Sequence, residues 1–346
     1  MEKIVTGIKP WQPNFAISVE GMDITSTVRE NLVSLTLIDN GGSKKESDQF
    51  TFAVADEEMA LPPKGTKISL ALGFGEELVD KGVFIVDALA SGASSNSHRI
   101  IQITARAYSR TNARGHSTLQ SQKTRSWSDI SLGDLLKTIS AEHQLTFSIP
   151  DSLAVMHIPH LDQLGESDMN LLTRMAESFG AVSKVTHDHW VLTPRESLTT
   201  VSGAPLKNQL INRDMVERWS YRENAAPPDA STAGNGTIVI AYHDKTDGGK
   251  VKHLTVGSGE PVTTYPYPQS DLESARSIFS GAAVSSKKKT TGMNLELMGI
   301  PELMSMTAQT LVTTEGFGSK EDRQWHIAAL TMDMTTQGFA FNLELE

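Results

Sequence analysis

Apolar and polar side chains alternate with a period of two through the first hundred residues, and this pattern limits the possible folds. Successive side chains of a β-strand point to opposite faces, so the pattern predicts strands with one apolar face each. Six such runs lie between Phe15 and about Ser109, separated by turn-forming residues. Such strands bury their apolar faces by closing into a barrel or stacking into a sandwich.

The period becomes helical in the segment 126–195. Ser131 is a suitable N-cap for a first helix, and a second helix is predicted from Ser167 to Gly180, followed by two short strands. The apolar residues of the first helix are Leu132, Leu135, Leu136 and Ile139. We interpret the segment as a small α/β module. The run 112–125 before it has few apolar residues and is interpreted as a linker.

The rest of the chain returns mainly to strand patterns. A strand is predicted at 215–222, a hairpin around the turn Asp247-Gly-Gly249, and a helix at 270–286, with further strands to the C-terminus. The predicted class is α+β, mainly β, with two tube-like β-barrel domains and small α/β insert domains. The predicted domains are a first β-barrel at 1–115, an α/β domain with two helices at 116–200, a second β-barrel at 201–225 and 290–346, and an inserted β-rich domain with one helix at 226–289.

Composition excludes several classes of function. None of the 346 residues is cysteine, which rules out disulfides and thiolate catalysis. The formal net charge of -10 argues against nucleic-acid binding, because phosphate contacts require a basic surface. Residues 291–346 hold two basic and eight acidic residues, so this part should repel DNA. No apolar run has the roughly 20 residues of a membrane span, so no membrane insertion is expected.

Histidine and carboxylate pairs are the first candidates for chemistry. His157 with His160 and His187 with His189 resemble partial metal sites, but neither pair has a third ligand nearby, and exposed turn histidines are the simpler interpretation. The carboxylate pairs are Glu57 with Glu58 and Glu166 with Asp168. The first lies in a polar connection, and the second lies where a negative charge favours a helix start.

Two glycine motifs and one lysine run complete the candidates. Gly73-Phe-Gly75 and Gly316-Phe-Gly318 are interpreted as strand-end turns, because neither precedes a helix as a phosphate-binding loop would. The three lysines 287–289 are interpreted as a solvated turn, with contact to an acidic partner as the alternative. We predict no catalytic, cofactor-binding or metal-binding residues and no cofactor. The polar loop 40–48 is interpreted as a solvated connection.

The segment 166–181, Glu-Ser-Asp-Met-Asn-Leu-Leu-Thr-Arg-Met-Ala-Glu-Ser-Phe-Gly-Ala, resembles the phage late control gene D protein family, which supplies tail hubs. It is also similar to the N-terminal part of type VI secretion spike proteins. The surrounding order is similar too, with a β domain before the motif and, after it, a β domain that contains Gly299-Ile-Pro301 and Gly316-Phe-Gly318. The resemblance covers most of the chain.

The resemblance implies a structural baseplate hub of a contractile phage-type tail and not an enzyme. Three chains with two barrels each would form a ring that adapts a sixfold tail tube to a threefold central spike. The implied partners are two further copies of the chain, the tube protein, the spike protein and neighbouring baseplate proteins, with the tape measure protein as an additional candidate. DNA would only pass through the lumen. The expected location is the virion tail baseplate, assembled in the host bacterial cytoplasm.

Two alternatives remain open. In the first alternative, the chain is a type VI-like secretion spike hub component. In the second alternative, it is a tail-associated cell-wall-degrading enzyme. Secretion spike proteins of this kind continue into an oligonucleotide-binding-like domain and a β-helix, whereas this sequence ends at Glu346. We therefore expect a spike made by a separate polypeptide, as in a phage tail. The enzyme alternative requires a catalytic pair in a cleft, which the sequence does not supply.

Overall fold

The fold is described from a computed structural model. The structure describes residues 12–41, 44, 46–94, 97–107, 118–186, 189–195, 197–224, 236–276, 278–279, 291–336 and 338–346.

The N-terminal part contains the six predicted strands, one two-residue strand and one short helix. The strands are Pro13–Val19 (β1), Met22–Asp23 (β2), Leu32–Asn40 (β3), Gln49–Ala55 (β4), Lys67–Phe74 (β5), Glu77–Ser94 (β6) and Ser97–Arg106 (β7). The helix Thr25–Asn31 (α1) was not predicted, because Val28 is its one buried large apolar residue and too little periodicity results.

The middle part is a module with its own hydrophobic core. Its elements are Gln122–Ser131 (β8), Leu132–Glu142 (α2), Thr146–Ser148 (β9), Asp151–Ala154 (α3), His157–Ser167 (β10), Asp168–Ser178 (α4), Ala181–Thr186 (β11) and His189–Pro194 (β12). The predicted N-caps are confirmed, since the Ser131 hydroxyl accepts from Asp134 N at 3.0 Å and the Ser167 hydroxyl from Asn170 N at 3.2 Å. Gly180 has the positive φ of 66° that favours glycine beyond a helix end. The two helices pack around the buried Trp190.

The remaining strands are Asn208–Asn212 (β13), Val216–Glu223 (β14), Gly236–Asp244 (β15), Lys250–Ser258 (β16), Val262–Gln269 (β17), Thr291–Met298 (β18), Leu311–Glu315 (β19), Gln324–Thr335 (β20) and Gly338–Leu345 (β21). Strands β15 and β16 form the predicted hairpin, and β15 also pairs with β17 in a separate three-stranded sheet. Residues 272–276 and 278–279 of the predicted helix 270–286 are helical, and its part after 279 lies outside the described residues.

One continuous sheet joins the two ends of the chain. Its order is β14-β18-β21-β20-β3-β4-β7-β6-β5-β1-β2, with β19 on β20 and β13 on β19. The junction is the antiparallel pair β3–β20, in which Leu37 lies opposite Met332. One core cluster contains side chains of both halves, and the rings of Phe74 and Phe339 lie 5.7 Å apart. The class is α+β and mainly β, as predicted. The division into two barrel domains stays a prediction.

Three local predictions are wrong in the described residues. Lys123 and Arg125 of the predicted linker lie on β8, and His157 and His160, predicted in a turn, lie on β10. The errors at β8 and β10 have the same cause. Many side chains of these two paired strands are polar, so the sequence shows no regular apolar alternation from which a strand could be predicted. The loop 40–48 is not uniformly solvated, because Asn40 is 4% exposed and its carbonyl accepts a hydrogen bond from Lys184 of the module.

Candidate functional sites

The densest group of charges in the module surrounds the Asp168 carboxylate, which is fully buried. Lys123 Nζ lies 2.5 Å from Asp168 Oδ2, and Arg125 Nη2 lies 2.8 Å from Asp168 Oδ1. His143 Nε2 is 2.7 Å from Oδ2, and Gln163 Nε2 donates to Oδ1 at 2.8 Å. We call Lys123, Arg125, His143, Gln163 and Asp168 the module cluster. It ties β8, β10 and the ends of α2 and α4 together.

The electrostatics of the module cluster keep Asp168 ionised. Burial by itself would raise the pKa of this carboxyl. Hydrogen bonds from His143, Lys123 and Gln163, together with the charge of Arg125, outweigh burial and hold the pKa well below its usual value. Both carboxylate oxygens already accept hydrogen bonds from cationic or amide groups, so the group is suited to holding strands and helices together.

Thr118, His143 and Asp168 resemble the order of a hydroxyl, an imidazole and a carboxylate in hydrolases. Thr118 Oγ1 lies 3.1 Å from His143 Nδ1, on the opposite side of the ring from Asp168. The His143 side chain is 5% exposed, so substrate access from solvent is closed at this position. A hydrolase also needs oxyanion donors next to an accessible nucleophile. The arrangement therefore fits a structural role.

A second group of charges lies where the module meets the large sheet. Lys184 on β11 points its ammonium between Asp39 and Asp48, with Nζ 3.2 Å from Asp39 Oδ1 and 2.9 Å from Asp48 Oδ1. It also donates to the Asn40 carbonyl at 2.5 Å. Asp39 Oδ2 accepts a hydrogen bond from Ala308 N at 2.8 Å, so this carboxylate contacts both the module and the C-terminal part of the chain. We call Asp39, Asp48, Lys81 and Lys184 the junction cluster.

The junction cluster places charges of both signs in a poorly solvated position. Burial raises the pKa of Asp48 and outweighs the lowering effect of Lys184. Burial would lower the pKa of Lys184, but the carboxylates of Asp39 and Asp48 raise it instead. Next to the cluster lies a cavity of about 120 Å³, lined by residues of the sheet, the module and the segment 195–206. This junction sets how the module sits on the sheet.

Lys81 yields a prediction for alkaline pH. Burial lowers its pKa to about 8, although Asp39 partly opposes the change, and its Nζ donates to the Met304 carbonyl at 2.5 Å. The unfolded chain holds this proton up to about pH 10.5, so it binds more protons than the folded chain between pH 8 and 10.5. The contribution of Lys81 to the free energy of unfolding is therefore expected to rise over this range.

Urea denaturation at pH 7, 8, 9 and 10 of the wild type and of Lys81→Met tests this. The difference in the free energy of unfolding between the two proteins should change with pH above 8. A difference that is constant with pH would contradict the lowered pKa.

The residues singled out as candidate metal or acid–base groups do not converge. His157 Nε2 lies 2.7 Å from Asp129 Oδ1, and His160 Nε2 lies 3.2 Å from Asp162 Oδ1, in two exposed pairs. His189 is on β12, and His187 lies outside the described residues. In the part of the chain that the structure describes, three or more histidine or acidic residues are nowhere grouped for a metal ion.

The carboxylate pairs have structural contacts. Glu57 Oε1 accepts from Arg99 N at 2.9 Å, and Glu58 is exposed in the same connection. Glu166 pairs with Arg174 at 2.7 Å, and Asp168 belongs to the module cluster. The sequence pattern indicates that Asp168 lies at a helix start but does not indicate its partners, because Lys123 and Arg125 fall in the predicted linker. The signal that could have revealed these partners was the pair of cations on β8, Lys123 and Arg125, together with the acidic first residue of the capped helix α4.

The glycine motifs are strand-end turns, as predicted. Gly73 is the penultimate residue of β5, and a Cβ there would lie 1.9 Å from the Glu77 carbonyl oxygen, so a side chain does not fit. Gly316 follows β19 with a φ of 85°, and the Asp322 carboxylate accepts from its N–H at 3.1 Å. The lysines 287–289 lie outside the described residues.

The two ends of the large sheet differ in their ability to accept another strand. Beside β1, Thr25 Oγ1 accepts from Ile17 N at 2.9 Å, and Arg29 donates to the Phe15 carbonyl at 3.2 Å. Side chains of α1 therefore cover backbone groups at this edge. At the other end, β14 pairs with β18 and with no second strand among the described residues. An open edge of eight residues is a typical surface for pairing with another chain.

No helix in the described ranges combines the length and hydrophobicity needed to cross a bilayer.

Comparison with known proteins gives relatives along the whole chain. No protein-family model matches it. The chain is 27% identical over 370 residues to the probable baseplate hub protein of Escherichia phage 186, covering 96% of this chain and 92% of the phage protein. It is 32% identical over 210 residues to the probable baseplate hub protein of Escherichia phage P2. This second match covers 60% of the chain and 52% of the relative, about half its length.

Solved structures share the fold. The 43 kDa tail protein of prophage MuSo2 from Shewanella oneidensis has a TM-score of 0.66 at 15% identity, covering 97% of this chain and 98% of that one. An Escherichia coli component of the type VI secretion system has a TM-score of 0.57 at 7% identity, covering 95% of this chain and 76% of that one. At these identities the likeness concerns the fold.

Proposed function

We infer from its homology to the probable baseplate hub proteins of phages 186 and P2 that this chain is a structural hub protein of a phage-type tail baseplate. The observation that carries this inference is the match to the phage 186 protein, which covers nearly the full length of both chains. The fold likeness to a prophage tail protein extends over a similar share of the chain.

The hub works as a homotrimeric ring between a sixfold tube and a threefold spike. Two β-rich halves in each chain let three copies present six similar units to the tube, which is the symmetry match that a closed ring needs. The open edge of β14 supports pairing between neighbouring copies. The tube protein, the central spike protein and other baseplate proteins are the remaining partners, and the tape measure protein is a further candidate.

The acidic C-terminal part faces the lumen of this ring in our proposal. Residues 291–346 carry two basic and eight acidic residues, so DNA would pass without binding. Assembly takes place in the host bacterial cytoplasm. A cryo-EM map of the assembled ring tests the placement, and a lumen lined by basic side chains would contradict it.

The role is mechanical in this proposal and includes no catalysis. The strongest arrangement of catalytic residue types, around His143 and Asp168, is buried and held by ion pairs. The alternative of a cell-wall-degrading enzyme predicts a clearing band when the purified protein is run on a peptidoglycan zymogram. The alternative of a type VI-like spike hub component draws support from the fold likeness to the Escherichia coli protein. Co-purification with a short, separate spike protein would favour the phage tail instead.

Light scattering at several protein concentrations tests the trimer. Because the chain has a mass of 37.6 kDa, the expected particle has three times that mass at the higher concentrations. The trimer fraction should rise with concentration, as mass action requires for an associating protein. A single-subunit mass throughout, also after addition of the spike protein, would contradict the proposed ring.

A further inference from the structure

The distal half of β6 is a second open edge of the large sheet. The strand pairs with β5 only as far as Ile85, and Val86 still exchanges backbone hydrogen bonds with residues 65 and 66. Beyond this point it pairs with β7 alone among the described residues, in a regular register from Ala88 to Gly92. We call residues 88–93 the β6 arm.

The β6 arm lacks the features that protect exposed edges from pairing. Its sequence, Ala-Leu-Ala-Ser-Gly-Ala, has no charged residue and no proline, and five of its six residues are exposed. Edge strands in soluble proteins usually carry lysine, proline or inward-pointing charges, because an unprotected edge pairs with other chains. Register shifts lie between Val86 and Ala88 and between Gly92 and Ser94, and the stretch between them is regular. The β6 arm is therefore suited to pair with a further strand.

β14 offers an edge of similar length at the opposite end of the sheet. Its register with β18 is regular from Arg218 to Glu223. The strand is held in place from its inner side, where the rings of Trp219 and Phe317 lie 5.5 Å apart, and at its end, where Glu223 pairs with Lys320. Because β14 carries charges of both signs, an uncharged strand opposite it avoids like-charge pairs across the contact.

We propose that the β6 arm of one copy pairs with β14 of the next copy in antiparallel orientation. The two edges belong to different strands, so the contact is heterologous and can close into a ring. A contact of β14 with β14, or of arm with arm, would stop at two copies and leave the other edge of each copy open. The inference rests on the proposed ring and names the two strands that join its subunits.

The orientation follows from the order of the sheet. Eight strands lie on the path from β14 to β6, and every neighbouring pair along it is antiparallel. β14 and β6 therefore run in opposite directions within one copy. Rotation about a ring axis that follows the strands preserves these directions, so β14 meets the arm of the next copy as an antiparallel neighbour. The alternation of the sheet then continues unbroken across the contact.

Cysteine cross-linking tests the pairing, and the natural sequence contains no thiol that would interfere. Trp219 and Leu89 both pack against the large core, so the residues that alternate with them share the opposite face of the sheet. On that face, Ser220→Cys is combined in turn with one of three changes in the arm, Ala88→Cys, Ala90→Cys or Gly92→Cys. The three combinations sample three antiparallel registers.

At least one combination should form a disulfide between copies on mild oxidation. Residues directly opposite in antiparallel strands have Cβ atoms roughly 4.5–5.5 Å apart, which is close enough for this bond after a small adjustment. Each copy has one thiol at each of its two contacts, so the cross-linked ring should migrate as a three-subunit band on a non-reducing gel.

The single variants and the combination of Ser220→Cys with Val155→Cys are the controls. Val155 is 74% exposed and lies in the module, so this thiol is accessible but remote from the arm. None of the controls should give the three-subunit band. A two-subunit band from Ser220→Cys alone would overturn the proposal in favour of a contact between two β14 strands.

Light scattering of the same samples separates failure of the pairing from failure of the ring. A three-subunit particle in which none of the three combinations cross-links would overturn the pairing and leave the ring intact. A single-subunit mass at every concentration, also after addition of the spike protein, would contradict the ring and the pairing together.

Discussion

Replacing Lys184 with methionine is expected to lower the free energy of unfolding by about 3–5 kcal/mol, the usual cost of removing one partner from a buried ion pair. The ammonium lies between Asp39 and Asp48, whose side chains are 22% and 15% exposed. Without it, two carboxylates face each other at the junction of module and sheet. Urea denaturation at pH 7, followed by intrinsic tryptophan fluorescence, measures the loss.

The double variant Lys184→Met with Asp48→Asn separates loss of packing from uncompensated charge. Removing one carboxylate relieves the repulsion, so the double variant should be more stable than the single variant by about 0.5–3 kcal/mol, the range of coupling between neighbouring residues. Lys245→Met is the matched control, because this lysine is 67% exposed in its pair with Asp271 and should change stability by less than about 0.5 kcal/mol. Equal effects of Lys184→Met and Lys245→Met would show that the junction cluster does not hold the module.

Replacing Asp168 with asparagine should destabilise the module by about 3 kcal/mol. The change preserves shape but leaves Lys123 and Arg125 without their buried counter-charge, and His143 without its acceptor at 2.7 Å. The module has its own core, which contains Trp190, so its unfolding can be followed by fluorescence. Glu223→Gln, in an exposed pair with Lys320, is the control and should leave the urea midpoint unchanged.

The pH dependence of the same variant tests the charge state of Asp168. The pKa of this carboxyl is held below its usual value of 3.8, so the folded chain resists protonation more than the unfolded chain does. The contribution of Asp168 is therefore complete above about pH 4 and declines as the pH falls below it. Wild-type stability should approach that of Asp168→Asn in this acidic range. A stability gap that persists undiminished at the lowest pH would contradict the lowered pKa.

Local features of the fold could be predicted well. Strand alternation, the N-caps at Ser131 and Ser167 and the glycine after α4 depend on residues within a few positions of each other, and all of them are found in the structure. Strands with polar side chains were missed, because β8 and β10 lack the apolar alternation on which the prediction depends. The same omission concealed the module cluster, whose cations lie on β8.

The amino-acid sequence by itself determined the strands with alternating apolar side chains, the two capped helices of the module and the mainly β class, since side-chain period and capping are local properties. Only the tertiary structure decided that β3 pairs with β20 and that Lys184 is placed between Asp39 and Asp48. These contacts join residues more than a hundred positions apart. They depend on how sheets close over a shared core, and no pattern within a short window of sequence records that closure.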